Sequence, residues 1–332
     1  MKRLLYFLYY LKSLDIRRFI LFIEFASQKI SRSKTSILID SIRSSFRYNI
    51  SLPDYFYFRF YEKPQSGRTQ WAGTGFMYEY QLKMNPRVSR NAIENKTEFL
   101  LRYKNYVHRM YATIDELKSF PGKAELMLKH PSGRIVVKDS CGQAGAEVEI
   151  LQCGILTPIT LIKHMHSRGF DLAEECVMQH HEMDKLSSSG INTIRIITQV
   201  TDHGVDFLGA RLRISVNSRV DNMAAGNLAA PIDISTGRVT GPGVYSDITK
   251  TDEQVHPVTG VSIIGFQVPF WPEVCLMARD AALFDTRNRS VGWDIAITED
   301  GPELIEGNHN WCKLLWQLPV KKGLKSELEK YL

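Results

Sequence analysis

Residues 293–308 read WDIAITEDGPELIEGN, which is two apolar β runs joined by a Glu-Asp-Gly turn. A three-residue loop at 299–301 with a left-handed glycine is a common hairpin connection, and it predicts that Asp294 lies directly opposite Glu306. Asn308 joins the same face because residues two apart on a strand point to the same side. Inside the hairpin, this register pairs three further positions: Ile297 with Glu303, Ala296 with Leu304 and Ile295 with Ile305.

The hairpin therefore brings two carboxylates and an amide oxygen together at one end. Neighbouring carboxylates repel each other and lose solvent unless a cation lies between them. Hard oxygen ligands at a partly open site suit Mg²⁺ that is bound together with phosphates. The alternative interpretation is a hairpin that simply carries acidic side chains on its surface.

A glycine-rich loop follows the β run at 134–138 and reads DSCGQAG over residues 139–145. Gly142 and Gly145 let the backbone approach a ligand closely, successive amides form a concavity for anions, and Lys138 adds a positive charge. The spacing matches neither a Walker A loop nor a Rossmann fingerprint. An ordinary hairpin turn with a solvated lysine is the alternative. Considered together with the acidic hairpin, the loop favours a nucleotide whose phosphates and magnesium ion occupy the two features.

Three arginines lie inside strands that are otherwise apolar: Arg195, Arg211 and Arg213. A buried guanidinium needs a partner, because an unpaired buried charge is costly. That partner is a substrate carboxylate, a transferred phosphoryl group, or an acid of the chain such as Asp221 or Asp233.

Hydrophobic periodicity and turn residues predict the remaining elements. We expect helices at 95–110, 114–120 and 271–283, strands at 134–138, 147–151, 176–180, 191–200 and 207–216, a long loop over 221–260, and a closing helix from about residue 321.

The chain has 332 residues and a formal charge of +6 at pH 7, which is unevenly distributed. Residues 1–47 contain ten Lys/Arg and three acids, a net charge of +7, so the remainder carries −1. The first thirty residues read as an aromatic-rich basic helix, either packed on its own domain or resting on an anionic membrane surface. Nucleic-acid binding is not expected, because the aromatic side chains do not alternate with arginines as in a binding groove.

The five cysteines are odd in number and form no CxxC pair, which argues against a disulfide framework and a zinc knuckle. Reduced thiols favour a cytoplasmic protein. Peripheral contact with the inner face of the membrane through residues 1–30 stays open, and so does a homodimer.

Together these motifs resemble the ATP-grasp superfamily, and the nearest branch is the sugar-transfer-associated ATP-grasp family of polysaccharide gene clusters. The resemblance covers about residues 95–312. It rests on Lys138 with residues 140–145, the strand expected to end at Gln179, and the segments 192–195, 209–213, 220–222, 231–233, 256–257, 265–271, 292–297 and 306–308.

The resemblance implies an α+β protein with the ATP-grasp fold, in which two α+β subdomains grip ATP. We expect the N-terminal subdomain, with the glycine loop, at residues 95–182 and the C-terminal subdomain, with the metal site, at residues 183–332. A basic helical N-terminal region at residues 1–94 precedes them.

The resemblance also implies roles for individual residues. Lys96 and Lys138 would bind phosphates, the closing loop would contain Ser140, Gly142 and Gly145, and the adenine hinge would contain Gln179 and His180. The ligands of one or two Mg²⁺ ions would be Asp294, Glu306 and Asn308. The catalytic arginines would be Arg195, Arg211 and Arg213, of which Arg213 would steady the transferred phosphoryl group.

In the resembled family, ATP phosphorylates a carboxylate and an amine then attacks the acyl phosphate. The implied activity is an ATP- and Mg²⁺-dependent carboxylate–amine ligase that joins an amino acid or other amine to a sugar acid in bacterial capsule or O-antigen synthesis. Two alternatives stay open: a kinase of the same fold that phosphorylates a hydroxyl, and a non-catalytic nucleotide-binding partner of a glycosyltransferase.

Overall fold

The computed structural model describes residues 2–12, 14–142, 148–218 and 220–332, with only the backbone of Lys2. The predicted α+β class is confirmed: two antiparallel sheets follow a helical N-terminal region. Gly145, expected in the closing loop, lies outside the described residues.

The N-terminal region packs its helices around an aromatic core that includes Phe22, Ile37, Phe56 and Phe60. Its helices are α1 (Lys2–Lys12), α2 (Ile16–Lys29), α3 (Lys34–Tyr48), α4 (Leu52–Tyr57), α5 (Gln65–Arg68) and α6 (Thr74–Met84). The single helix expected over the first thirty residues is two helices. The Asp15 side chain accepts a hydrogen bond from the backbone amide of Arg18 and starts α2 as its N-cap.

A smaller sheet supplies the lysine-bearing side of the molecule. Its strands, in spatial order, are β1 (Tyr111–Thr113), β4 (Leu172–Glu175), β2 (Arg134–Lys138) and β3 (Val148–Gln152). Helices α7 (Asn91–Glu94) and α8 (Lys96–Arg102) precede it, and α9 (Ile114–Ser119), α10 (Pro121–Leu128) and α11 (Pro158–Arg168) share its apolar core.

Two sequence predictions are wrong in this part of the chain. The helix expected at 95–110 ends at Arg102. The strand expected at 176–180 instead lies at Leu172–Glu175. Residues 176–180 form the connection to the second sheet, where the backbone amide of His180 donates a hydrogen bond of 2.7 Å to the carbonyl of Ile297.

A larger sheet follows helix α12 (His181–Leu186). Its strands, in spatial order, are β7 (Leu228–Ile232), β6 (Gly204–Ile214), β5 (Thr193–Thr201), β8 (Ser290–Thr298) and β9 (Gly301–Asn308). Helix α13 (Trp271–Phe284) packs on one face, and α14 (Lys313–Gln317) and α15 (Lys325–Glu329) close the chain. Strand β7 lies in the segment expected to be a loop. It is short, sits at the sheet edge and contains a proline, so its β signal is weak.

Alternation along the strands separates apolar from charged side chains on this larger sheet. Ile194, Ile196 and Leu212 enter the core that contains α13. Arg195 points to the opposite face, directly between Arg211 on β6 and Asp294 on β8. We call this opposite side the charged face.

The β8–β9 hairpin confirms the predicted pairing of Asp294 with Glu306, but the inner register is wrong. The connection is a two-residue turn, so Thr298 pairs with Gly301, Ala296 with Glu303 and Ile295 with Leu304. A bulge at Ile305 restores the outer register. The reason is physical: the predicted register would have turned the Glu303 carboxylate into the apolar core under α13, whereas the bulge turns it onto the charged face.

Arg109 connects the two sheets through that Glu303 carboxylate. Its Nη1 lies 2.7 Å from Glu303 Oε1 on β9, and its Nε lies 2.7 Å from Glu174 Oε2 on β4. Arg109 also donates hydrogen bonds to the carbonyls of Leu304 (2.9 Å) and Ile305 (3.4 Å). All three charged side chains of this bridge are 5% exposed or less, so the two sheets share one buried ionic contact.

We predict that Arg109→Met destabilises the protein by about 3–5 kcal/mol, because it leaves two buried carboxylates without their shared counter-ion. The matched control is Arg168→Met, which removes an exposed guanidinium paired with Glu149 and should cost less than about 1 kcal/mol. Urea unfolding measures both. Equal losses in the two variants would contradict the assignment of Arg109 as the link between the sheets.

Candidate functional site

Asp294 lies at the centre of a buried ionic cluster on the charged face. Its carboxylate accepts hydrogen bonds from Nε and Nη2 of Arg195, the latter at 2.6 Å, and from Nη1 of Arg213 at 2.6 Å. Burial favours the protonated form of Asp294, but the charges of Arg195 and Arg213 outweigh burial and hold its pKa well below the usual range. Asp294 is therefore an anion that two guanidiniums fix in place.

Of the two acids predicted as possible partners of the arginines, Asp221 forms an ion pair and Asp233 does not. Arg213 Nη2 lies 2.7 Å from Asp221 Oδ1. Asp233 instead accepts hydrogen bonds from Ser235 and Thr236 in its own turn. The interpretation as a chain-internal ion pair thus holds for Arg213 and Asp221.

Glu306 and Asn308 lie beside Asp294 and point toward open space. The Glu306 side chain is 46% exposed, whereas that of Asp294 is 2% exposed. Asn308 Nδ2 donates a hydrogen bond of 3.0 Å to Glu306 Oε1. Desolvation by the surrounding protein raises the pKa of Glu306, and the charge of Asp294 raises it further. A cation at this position would relieve that repulsion.

Lys138 lies at the end of β2 on the smaller sheet, and Glu174 holds it. Lys138 Nζ is 2.5 Å from Glu174 Oε1. Burial opposes ionisation of Glu174, but Lys138 and Arg109 outweigh it and lower its pKa to about 2. The bridge that joins the two sheets therefore also fixes the position of this lysine.

Lys96 brings the two sheets into electrostatic contact. Its Nζ donates hydrogen bonds to the carbonyls of Asp139 (2.8 Å) and Gly142 (2.5 Å). Burial lowers the pKa of Lys96, nearby Lys138 lowers it further, and the negative charge of Glu306 opposes both. Lys96, at the start of α8, thus lies within electrostatic range of both Lys138 on the smaller sheet and Glu306 on the β8–β9 hairpin.

The start of the glycine loop is anchored rather than open. The backbone amide and the hydroxyl of Ser140 donate hydrogen bonds to Asp171, at 2.7 and 2.6 Å. The carbonyl of Gly142 accepts from Lys96. Ser140 and Gly142 therefore hold Lys96 and the loop base in position.

Gln179 and His180 lie in the connection between the two sheets. The Gln179 amide is already engaged: Nε2 donates to Asp184 Oδ1 at 2.6 Å, and Oε1 accepts from the Asn192 amide at 3.0 Å. The His180 ring stacks on His181 with ring centroids 4.2 Å apart. The Gln179 side chain thus stabilises the connection.

Arg211 does not join the Asp294 cluster, although its strand position puts it on the same face. Its Nε and Nη2 donate to the Trp316 carbonyl, and its Nη1 donates to the Ala210 carbonyl at 2.7 Å. Of the three arginines predicted as catalytic, the structure brings Arg195 and Arg213 together at Asp294 and directs Arg211 elsewhere.

Three residues that position the site were not predicted from the sequence: Arg109, Glu174 and Asp171. Arg109 and Glu174 lie outside every recognised motif, and only the meeting of the two sheets reveals their partnership. Asp171 follows a helix C-terminus in an unremarkable position, so its hydrogen bonds to Ser140 left no signal in the sequence.

A family model described as sugar-transfer associated ATP-grasp matches residues 153–331, which is more than half of the chain. The protein therefore belongs to the sugar-transfer-associated ATP-grasp family, and the family predicted from its sequence motifs is confirmed. A search of curated proteins found no match.

Several solved structures are similar to the chain at low identity. The ATP-grasp ligase PsnB in complex with a precursor peptide and AMPPNP is 15% identical, with a TM-score of 0.43 over 74% of this chain and 60% of that one. The ADP complex of the N5-carboxyaminoimidazole ribonucleotide synthetase purK is 11% identical, with a TM-score of 0.41 over 66% and 45%. An L-amino acid ligase from Bacillus licheniformis is 10% identical, with a TM-score of 0.38 over 66% and 41%. The chain thus spans less than two thirds of the length of each.

We predict that Glu306→Gln stabilises the metal-free protein at pH 8. A carboxyl group whose pKa is raised on folding costs stability as pH rises through that pKa, and glutamine removes this cost. The gain should vanish below about pH 4, where the wild-type carboxyl is protonated in both folded and unfolded states. Mg²⁺ should raise the unfolding temperature of the wild type more than that of the variant.

Thermal unfolding with EDTA or with Mg²⁺, at pH 4 and pH 8, measures these differences. The control is Glu98→Gln, which removes an exposed glutamate near Arg102 and should change stability by less than about 0.5 kcal/mol. A Glu306→Gln protein that is less stable than the wild type in EDTA at pH 8 would contradict the repulsion between Glu306 and Asp294.

Proposed function

We propose that the protein is an ATP- and Mg²⁺-dependent carboxylate–amine ligase. The observation that carries this proposal is the position of Lys96, which lies within electrostatic range of both Lys138 and the carboxylate of Glu306. Lysines on one side neutralise phosphate charge, and carboxylates on the other side suit the divalent ion that accompanies a nucleoside triphosphate.

The residues present fit a magnesium ion. Glu306 offers an exposed carboxylate whose ionisation a cation would favour, and the carbonyl oxygen of Asn308 lies on the same edge. Asp294 is less available, since Arg195 and Arg213 already occupy its oxygens. We therefore assign Glu306 and Asn308 as the principal ligands and Asp294 as a ligand that would have to exchange part of its arginine contacts. When bound, the ion supplies charge neutralisation for the phosphates.

The side chains of this proposed site suit phosphoryl transfer to a carboxylate. In the first step, the substrate carboxylate oxygen bonds to the γ-phosphorus and the bond to ADP breaks. In the second, an amine attacks the acyl carbon, phosphate leaves and the amine loses a proton. Lys138 and Lys96 would hold phosphate oxygens, while Arg213 and Arg195 would stabilise charge on the transferred group. Such chemistry needs positioning and electrostatics more than a protein nucleophile.

The description of the family as associated with sugar transfer supports a sugar acid as the carboxylate and a role in surface polysaccharide synthesis. An amino acid or another amine would be the acceptor. The domain boundaries at 94/95 and 182/183 form part of the same proposal: the lysine-bearing sheet falls in the first unit of the pair, and the acidic hairpin falls in the second.

We expect ADP release with a sugar acid and an amine, and hydroxamate formation when hydroxylamine replaces the amine, because hydroxylamine traps an acyl phosphate. Glu306→Gln should lower turnover by roughly 10²-fold or more. Lys138→Ala should raise the KM for ATP, whereas Lys118→Ala, on the surface of α9, should change neither quantity.

A coupled ADP assay over a panel of uronic acids and amino acids, followed by hydroxamate detection, carries out this test. ADP release without hydroxamate would favour the kinase alternative, since a phosphate ester does not react with hydroxylamine. The absence of ADP release with every acid and amine would contradict a ligase and favour a non-catalytic partner.

We also propose that the N-terminal helices contact an anionic membrane surface. Large apolar side chains are exposed along α1, α2 and α3: Leu4, Leu5, Leu8, Tyr9, Leu11, Ile16, Ile20, Leu21, Leu38 and Ile39. Exposed basic residues flank them, including Arg3, Arg17, Lys34 and Arg43. Apolar surface bordered by positive charge suits the boundary between headgroups and acyl chains. No described helix has the length and apolar character that crossing a bilayer requires.

Charge favours a membrane over a second copy of this chain as the partner of these helices. Residues 1–47 carry a net charge of +7, so two copies meeting through this face would repel each other. The anionic lipids of the inner leaflet would instead attract each nearby Lys or Arg by about 1 kcal/mol.

We expect the protein to bind phosphatidylcholine vesicles that contain phosphatidylglycerol and not vesicles of phosphatidylcholine alone, with binding that weakens as salt increases. Leu8→Glu with Ile20→Glu should abolish binding. The control, Leu101→Glu with Leu126→Glu, makes the same charge change at exposed leucines of α8 and α10 and should preserve it. Flotation of the wild type and both variants measures this. Equal binding by the two double variants would contradict a role for the N-terminal helices.

A further inference from the structure

A cavity of about 610 Å³ opens between the start of β6 and the C-terminal segment. Apolar and polar surface line it in similar amounts, and Val205, Phe207, Leu208, Val320 and Leu324 supply most of the apolar part. Arg211, which is 3% exposed, also lines it, and Lys322 lies at its rim. The cavity thus combines a partly apolar wall with a buried guanidinium.

Arg211 is a buried cation without a counter-ion. No described carboxylate lies within 4 Å of it, whereas Arg109, Arg195 and Arg213 each pair with at least one buried acid. Desolvation alone lowers the pKa of Arg211, to about 10. Its hydrogen bonds go to two backbone carbonyls, and these leave donor capacity unused because a guanidinium has five N–H groups. A buried cation in this state is costly, so its retention calls for a partner.

The backbone beside Arg211 is shaped to accommodate its guanidinium. The β5–β6 pairing jumps from Gly209 to Phe207, which makes Leu208 a bulge residue. Gly209 has a φ of +153°, and a Cβ there would lie 3.0 Å from Arg211 Nη1. Glycine at this position therefore leaves room for Arg211 to fold back along the strand, away from Asp294 and toward the cavity.

The charges around the cavity leave a net positive surface. Lys330 Nζ lies 3.6 Å from Glu327, and the Tyr331 hydroxyl donates a hydrogen bond of 2.6 Å to Asp206. Lys330 neutralises Glu327, whereas Asp206 keeps its charge, so three cations and two acids give the lining a net charge of +1. Lys322 has no acidic partner within 4 Å in the described part of the chain, so it and Arg211 are the cations left for a ligand.

We propose that this cavity is a second binding site, separate from the proposed nucleotide site, for an organic anion with an apolar body, whose carboxylate or phosphate binds between Arg211 and Lys322. The apolar walls select the body of the ligand, and the two cations select its charged end. The proposal stands on Arg211 and its cavity and does not require ligase activity.

Isothermal titration with 1-naphthoate, 1-naphthyl phosphate and the neutral 1-naphthamide tests the site. We expect one of the two anions to bind with a stoichiometry of one, and the amide to bind at least about tenfold more weakly. The better anion shows whether the site prefers a carboxylate or a phosphate. Equal binding of the amide, or no binding of either anion at millimolar concentration, overturns the proposal.

Variants locate the binding. Lys322→Glu at the rim and Val205→Trp in the wall should each weaken the preferred anion at least about tenfold, and neither removes a buried charge. Lys104→Glu makes the same charge change at an exposed lysine outside the cavity and should leave binding unchanged. Unchanged binding in both cavity variants overturns the proposal. Glu306→Gln should keep full binding, so loss of ligase activity and loss of this site can be told apart.

Discussion

The Asp294 carboxylate lies between the guanidiniums of Arg195 and Arg213, and this buried contact organises the charged face of the larger sheet. A carboxylate buried alone would be protonated or would destabilise the fold. Paired with two arginines it stays ionised, and it raises the pKa of its neighbour Glu306. Arg195, 3.9 Å from Glu306, offsets only part of this effect, so the exposed end of the hairpin still favours a bound cation.

A second buried contact, centred on Arg109, determines the position of Lys138 relative to the charge of Glu306. Arg109 binds Glu303 on the larger sheet and Glu174 on the smaller one, and Glu174 in turn binds Lys138. The position of Lys138 relative to Glu306 therefore depends on a chain of ion pairs that crosses from one sheet to the other. Packing alone would place the sheets side by side, but these pairs place particular charges opposite each other.

The sequence was sufficient to predict features that depend on local alternation. Strand periodicity put Asp294, Glu306 and Asn308 on one face, and Asp221, one of the two acids named as possible partners of the arginines, pairs with Arg213. Features that depend on distant segments could not be predicted. The bulge at Ile305 exists because Glu303 meets Arg109, which is nearly 200 residues away along the chain. Arg211 likewise alternates correctly on β6, yet a bulge at Leu208 and a glycine redirect its side chain.

The charges of neighbouring arginines on the larger sheet are thus stabilised in different ways. Arg195 and Arg213 are neutralised by acids of the chain, and the surface beside them is negative at Glu306. Arg211, directly opposite Arg195 on the next strand, is stabilised only by carbonyls, and the cavity beside it is positive. The β5–β6 pairing thus lies between a part of the face suited to cations and a part suited to anions. Ligands of opposite charge can bind side by side on such a face, because each part repels the ligand that the other attracts.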